Sequence, residues 1–310
     1  MPPWKACRRS SAARRIGEEF RAEMISMDRI AVTTSARGGH CQVDLARRLA
    51  DDLDVPFVRR MGRSLEAVAD RYSEDGRGRL EAFVVVEASR ISVVRLEDAG
   101  RRNAELFFHP GMALSRIRRL KHGGADQMVE AMGLSRGDHV LDCTLGLGSD
   151  AIVSSWVVGS EGRVVGVEIS PVLAVITREG LRSYTEADPD VLCAMRRIEV
   201  VCGNHLDYLE GRPDRSFDVV SFDPMFREPV TTSVGIAPMR PWASHDPLPE
   251  KALREGMRVA RRRVVIKDRA NGDDLDRLGV SARVGAAKSR QEYGVISLDE
   301  EGMGKGGSSL

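Results

Sequence analysis

From residue 139 onward the chain alternates short apolar runs with stretches whose apolar residues recur every three or four positions. The runs at 139–143, 163–168, 198–202, 217–223 and 263–267 are predicted strands, and VVGVE, DVVSF and RVVIK hold too few polar positions for a sheet with one wet face. The helical spacing falls at 150–158, 172–184, 205–209 and 249–260. Strand–helix alternation of this kind specifies an α/β fold, a doubly wound, mostly parallel Rossmann-like sheet. A last run, 292–298, is expected as an antiparallel edge strand.

Residues 27–104 pattern as a smaller α/β unit. Strands are expected at 29–34, 82–87 and 91–96, a strand-like stretch at 56–59, and helices at 41–53 and from the cap Ser64 to Tyr72. Residues 105–134 are expected to connect the two units, with helices at 111–121 and 126–132 separated by Gly123 and Gly124. The larger domain spans 135–298, and the Gly- and Ser-rich stretch 299–310 is expected to be a disordered tail. Residues 1–26 begin with five basic residues and no acid through residue 15 and lack the apolar core of a secretory signal. They read as a disordered extension, or as a start placed upstream of Met27, in preference to an organelle transit peptide, so the cytoplasm is the expected location.

Charge narrows the partners. With 47 basic and 46 acidic side chains the net charge is +1, so any contact with a polyanion must come from a local patch. The five cysteines contain no CxxC pair, and neither a disulfide framework nor a metal site is expected. No stretch reaches the roughly 18 apolar residues of a membrane helix.

The segment HVLDCTLGLGSDA (139–151) is a strand, a glycine turn and a helix start. Gly146 and Gly148 permit the turn and a close ligand approach, and the helix start beyond offers free N–H groups. Glu168 ends the next strand, where its carboxylate can accept from a ribose diol. The pairing points to an adenosine-containing cofactor. The GLGSDA run also satisfies a dinucleotide pattern, so an NAD(P)-dependent oxidoreductase is the alternative. Asp142 argues against it: this carboxylate would repel a pyrophosphate but can orient the cationic amino end of S-adenosylmethionine.

FDVVSFDPMF (217–226) carries the chemistry. Asp223, Pro224 and Phe226 stand at the carboxyl end of a central strand, and the tetrad resembles the (D/N)PP(Y/F) loop of methyltransferases acting on exocyclic amino groups, with Met225 in place of the second proline. An aryl amine is a poor nucleophile because its lone pair is delocalised. A carboxylate or carbonyl that accepts its N–H groups favours the pyramidal nitrogen, Pro224 fixes the backbone that aims them, and Phe226 offers a face for the base.

Together LDCTLGLGSDAIV, VVGVEISPVLA, SFDPMF and RRVVIKD resemble the RsmJ-type class I methyltransferases, and FFHPGMALSRIRRL with the N-terminal unit resembles a longer Gram-positive-type branch. The resemblance covers about residues 27–300. It implies S-adenosylmethionine as cofactor, and as substrate guanine N2 in small-subunit ribosomal RNA, naked or in a particle. It places cofactor contacts on Ser149, Asp150, Glu168, Ile169, Asn204, His205 and Asp223. Two departures stand out: Thr144 replaces the first glycine of the DxGxGxG loop, and the family's proline after VVIK is absent. A non-catalytic RNA-binding or cofactor-sensing protein is the further alternative.

Arg116, Arg118, Arg119 and Lys121 form a basic cluster, read as candidate RNA-phosphate contacts, and Lys267 is a candidate substrate contact at a strand end. Arg261, Arg262 and Arg263 are expected to complement a helix carboxyl terminus. Trp242, in the long connection after DPMF, is a candidate base-stacking residue, and His109 reads as structural.

Overall fold

The computed structural model describes residues 25–76, 78–96, 104–224, 239–270, 272–285 and 291–298. The expectations for residues 1–24, for the tail from 299 and for Phe226 fall outside them.

The N-terminal unit is a four-stranded sheet in the order β1 (Ile30–Thr34), β2 (Ala82–Val86), β3 (Ile91–Arg95) and β4 (Ala104–Phe107). β1 and β2 are parallel, the other pairings antiparallel. Every residue of β1 and β2 is buried, which explains their unbroken apolar runs. Ile30, Val32, Val84 and Val86 face α1 (His40–Leu53), whereas Ala31, Phe83 and Val85 face α2 (Leu65–Glu74). Ser64 caps α2 as expected, accepting from the Ala67 N–H at 3.2 Å. Two expectations change. Residues 56–59 make only one bridge, Phe57 to Val32, and 104–107 are a strand of this sheet instead of the start of a connector.

The second sheet has seven strands in the order β10-β11-β9-β8-β5-β6-β7. These are β5 (His139–Asp142), β6 (Arg163–Glu168), β7 (Glu199–Cys202), β8 (Phe217–Phe222), β9 (Ala260–Arg269), β10 (Arg283–Val284) and β11 (Gln291–Ser297). β11 runs antiparallel to both neighbours, but the short β10 takes the edge expected for it. Helices α3 (Ala113–Lys121) and α4 (Gln127–Met132) precede this sheet, and α5 (Ser149–Val158), α6 (Pro171–Ser183), α7 (Pro189–Arg197), α8 (His205–Glu210), α9 (Glu250–Val259) and α10 (Asp274–Arg277) follow along it. α7 was not anticipated. Its signal is Pro189 in the first turn, then buried Val191, Ala194 and Met195 at helical spacing. β9 starts earlier than expected, so Arg261–Arg263 are strand residues. Arg261 and Arg262 pair with Asp218 and Asp138; Arg262 also donates to the carbonyl of Gly133, the C-cap of α4, and Arg263 to those of Glu130 and Ala131 in its last turn, so two of the three meet a helix carboxyl terminus as expected.

One apolar seam joins the sheets. Val172, Leu173, Val175 and Ile176 of α6 pack with the α1-facing side of the first sheet, and Met239, Trp242 and Ala243 complete the cluster. Each of the Val, Leu, Ile and Met side chains among them contributes about 1.5–3 kcal/mol on burial. The half-buried Arg178–Asp52 pair across the seam, at 2.7 Å, adds geometry more than stability. Trp242, at 4% exposure, is a core residue here and is not placed to stack a base. Among the described residues no helix is long and apolar enough to cross a membrane.

Candidate active site

β6, β5 and β8 are parallel neighbours, so the loops after them open side by side where the strand order reverses, the crevice in which doubly wound sheets bind ligands. In the loop after β5, Gly146 (φ +53°) and Gly148 (φ +78°) occupy the left-handed region, and Gly148 caps α5. The turn is pinned from both sides. Glu168 Oε2 accepts the Gly146 N–H at 2.8 Å, and the Thr177 hydroxyl donates to the Gly146 carbonyl at 2.7 Å. The other Glu168 oxygen accepts the Ser170 N–H at 2.9 Å. Burial pushes the Glu168 pKa up, and the backbone N–H groups oppose the shift. A carboxylate has four lone-pair sites, so acceptor capacity remains for a ribose hydroxyl. The anchoring role of Glu168 was not foreseen.

Next along the crevice, Ile169 is 40% exposed, an open apolar side chain directly after the acid. Asn204 is exposed and caps α8, accepting from the Leu206 N–H at 2.8 Å. His205 packs edge-on against Phe222, with ring centres 5.7 Å apart, and burial pushes its pKa down to about 4, so it is a neutral wall at pH 7. A buried acid, a glycine turn at a helix start, a second acid and an open apolar residue could hold, in order, the amino end, carboxylate, ribose and adenine of an adenosyl amino acid.

At the other end of the crevice the charges are concentrated. Asp223 follows β8; its N–H donates to the Thr144 hydroxyl at 2.6 Å, and its Oδ2 lies 2.7 Å from Lys267 Nζ. Lys267 also reaches Asp150 Oδ2 at 3.3 Å, and Asp150 Oδ1 bonds Arg116. Arg116 is gripped by both oxygens of Asp126 at 2.8 and 2.9 Å. Burial disfavours the Lys267 charge, but Asp150 and Asp223 more than offset it and raise its pKa. Asp150 stays below the usual carboxylate range because Lys267 and Arg116 outweigh its burial. Asp223 is shifted up by burial, with Lys267 opposing. Asp142, 6% exposed, is pushed up to about 7 by burial and by Asp150, although it accepts the Thr144 N–H. Tyr293, opposite Lys267 in the β9–β11 register, is pushed up to about 12 by burial and is a neutral hydroxyl. Asp142, Asp150, Ser221, Asp223, Lys267 and Tyr293, with Met132 and Val265, line one small cleft.

The structure brings together Asp142, Gly146, Gly148, Ser149, Asp150, Glu168 and Asp223 with Pro224, and adds Thr144, Asp126, Thr177 and Tyr293, which sequence reasoning did not select. Only Thr144 had a signal, as a departure from the glycine loop. The basic cluster is divided. Arg116 is half-buried in the site, Lys121 pairs with Asp188 and Asp190 at 2.8 Å, and Arg118 and Arg119 remain exposed. Lys267 is likewise occupied by carboxylates, not open to a substrate phosphate.

This strand order, with one antiparallel strand between β9 and β10 and an acid after the glycine turn, defines the Rossmann-like S-adenosylmethionine-dependent methyltransferases. The model of a family described as "Putative SAM-dependent methyltransferase" matches residues 69–293. The chain belongs to that family, and S-adenosylmethionine is its cofactor; the nicotinamide alternative falls. It is 38% identical over 265 residues to "Uncharacterized protein YpiP" of Bacillus subtilis, covering 86% of this chain and 98% of that one. It is 28% identical over 247 residues to "Ribosomal RNA small subunit methyltransferase J" of Shewanella piezotolerans, covering 76% of this chain and 88% of that one. In fold it is similar to the SAM-dependent methyltransferase NGO1261 of Neisseria gonorrhoeae, with a TM-score of 0.57 at 18% identity over 90% of this chain and all of that one.

Proposed function

We propose that this enzyme methylates an exocyclic amino group of a nucleobase, guanine N2 in small-subunit ribosomal RNA, in the cytoplasm. The observation that carries the reading is Asp223. Its Oδ2 is held by Lys267, its backbone is held by Thr144, and among the described residues no group donates to its Oδ1, while the side chain is 36% exposed. A fixed carboxylate with one open acceptor, beside the cofactor's glycine turn, suits a substrate N–H. The relatives named ribosomal RNA small subunit methyltransferase J supply the substrate class.

In this reading the cofactor supplies a methyl group already activated on a sulfonium. Asp142 holds the cationic amino end, Glu168 the ribose and Ile169, Asn204 and His205 the adenine. Ser149 and Asp150 frame the helix start. Asp223 Oδ1 and the Pro224 carbonyl accept the two N–H groups of the target amine and direct its lone pair along the line of attack. As the N–C bond forms, the surplus proton passes to Asp223 and on to water. Phe226 stacks the base, which must leave its own stack to enter. Residues 27–104 and the exposed Arg118 and Arg119 present the RNA.

The test uses S-adenosylmethionine with a tritiated methyl group, offered with small-subunit particles and with naked RNA from cells lacking this gene, followed by digestion to nucleosides. Label in N2-methylguanosine supports the reading, and label in another nucleoside replaces the target. If the protein binds S-adenosylhomocysteine but labels no RNA, the cofactor-sensing alternative takes its place. Asp223→Ala should nearly abolish transfer and leave cofactor affinity within about tenfold.

A further inference from the structure

The Lys267 ammonium lies closer to Asp223, at 2.7 Å, than to Asp150, at 3.3 Å. Yet Asp150 is the less exposed of the two, 19% against 36%, and attraction to it is less screened by water. The asymmetry has a visible cause: Asp150 is already compensated by Arg116 on its other oxygen. We propose that Arg116 is a positioning residue for methyl transfer, which keeps the Lys267 ammonium on Asp223 by satisfying Asp150 from the opposite side. The role in transfer rests on the function proposed above, whereas the clamp stands on the geometry alone.

The residue type fits the task. Two parallel N–H groups of the guanidinium grip Asp126, a third reaches Asp150, and a lysine has no fork with which to do both. Asp126 is itself fixed, since it caps α4 and accepts the Val129 N–H at 3.2 Å. The clamp is therefore built into the bend between α3 and α4 and acts on the catalytic loop through Asp150 and Lys267. A merely structural role, in which Arg116 only satisfies Asp126, is the competing account. The double variant R116M/D126N separates the two, because it removes both charges together and an asparagine can still cap α4.

The experiment follows the side-chain carboxyl carbon of Asp223 by NMR in the full-length ligand-free protein labelled with 13C-aspartate, with the signal assigned by Asp223→Asn. In R116M/D126N, Lys267 is drawn to Asp150, and the Asp223 titration should move up by about one pH unit. R116K should give a smaller rise. In methyl transfer the loss of kcat should be largest near pH 6 and shrink toward pH 8.5, with KM for S-adenosylmethionine within about threefold. An unchanged Asp223 titration in folded R116M/D126N overturns the proposal. Should that variant not fold, R116K decides, and an unchanged titration there overturns it equally. If the wild-type protein methylates no RNA, the function above fails while the titration still judges the clamp.

Discussion

The Thr144 hydroxyl accepts the backbone N–H of Asp223 at 2.6 Å, tying the glycine-turn loop after β5 to the loop after β8. Thr144 is in turn held by its own N–H, donated to Asp142 Oδ1 at 3.0 Å. A glycine here would leave Asp223 without this acceptor, so the departure from the usual glycine loop has a structural purpose. Thr144→Val keeps the shape and removes the acceptor. With a hydrogen bond contributing about 0.5–1.5 kcal/mol, kcat should fall roughly three- to tenfold. Cofactor affinity should change little, and Thr144→Ser should behave as wild type. Steady-state kinetics beside calorimetry with S-adenosylhomocysteine would check this, and a matching loss of affinity would place Thr144 in the cofactor site instead.

Glu168 accepts one backbone N–H on each oxygen, from Gly146 and from Ser170. In Glu168→Gln one of these donors faces an NH2 group. Hydrogen bonds to a charged acceptor contribute about 1.5–3 kcal/mol, so affinity for S-adenosylhomocysteine should drop about ten- to a hundredfold. Isothermal calorimetry measures it. Undiminished affinity would mean that Thr177 alone holds the turn.

Asp142 makes stability depend on pH. Its pKa is about 7 in the folded chain and about 3.9 when unfolded, so between these values the folded state holds a proton that the unfolded state has lost. This contribution to stability is present in full at low pH, declines as pH rises from about 4 to 7, and levels off above. Asp142→Asn mimics the protonated form. Its Tm should match wild type near pH 4.5 and exceed it increasingly up to about pH 7.5. Thermal unfolding across that range tests the sign, and a constant offset would show that Asp142 titrates normally.

Gly180 sits in α6 under Phe108, and a Cβ placed there would meet the ring at 2.0–2.5 Å. Alanine gains up to about 1 kcal/mol of helix propensity. Overpacking against a ring that is also held edge-on by Tyr184, with centres 6.0 Å apart, costs about 1–3 kcal/mol and should prevail. Gly180→Ala should therefore lower Tm by about 2–6 °C. A rise in Tm would show that the Phe108 segment moves aside freely.

Much of the fold and part of the site were legible along the chain because their signals are local. Apolar runs such as VVGVE announce strands covered on both faces, a glycine turn between strand and helix announces a ligand at the helix start, and Glu168 and Asp223 are marked by lying at strand ends. The 3.6 and 2.0 periodicities are properties of neighbouring residues, so no partner segment is needed to read them. What only the tertiary structure decided depends on which distant segments meet. Arg116 reads as one of several surface cations until α3 is laid beside α5, where Asp126 and Asp150 take up its donors. Lys267 lies 117 positions from Asp150 and 44 from Asp223, and neither distance foretells that both carboxylates share it. Trp242 looks like a loop aromatic until the seam with the first sheet buries it, and residues 104–107 become a strand only because β3 offers them an edge. Burial and charge pairing are long-range properties, and they decided which of the charges in this sequence meet in the cleft and which stay on the surface.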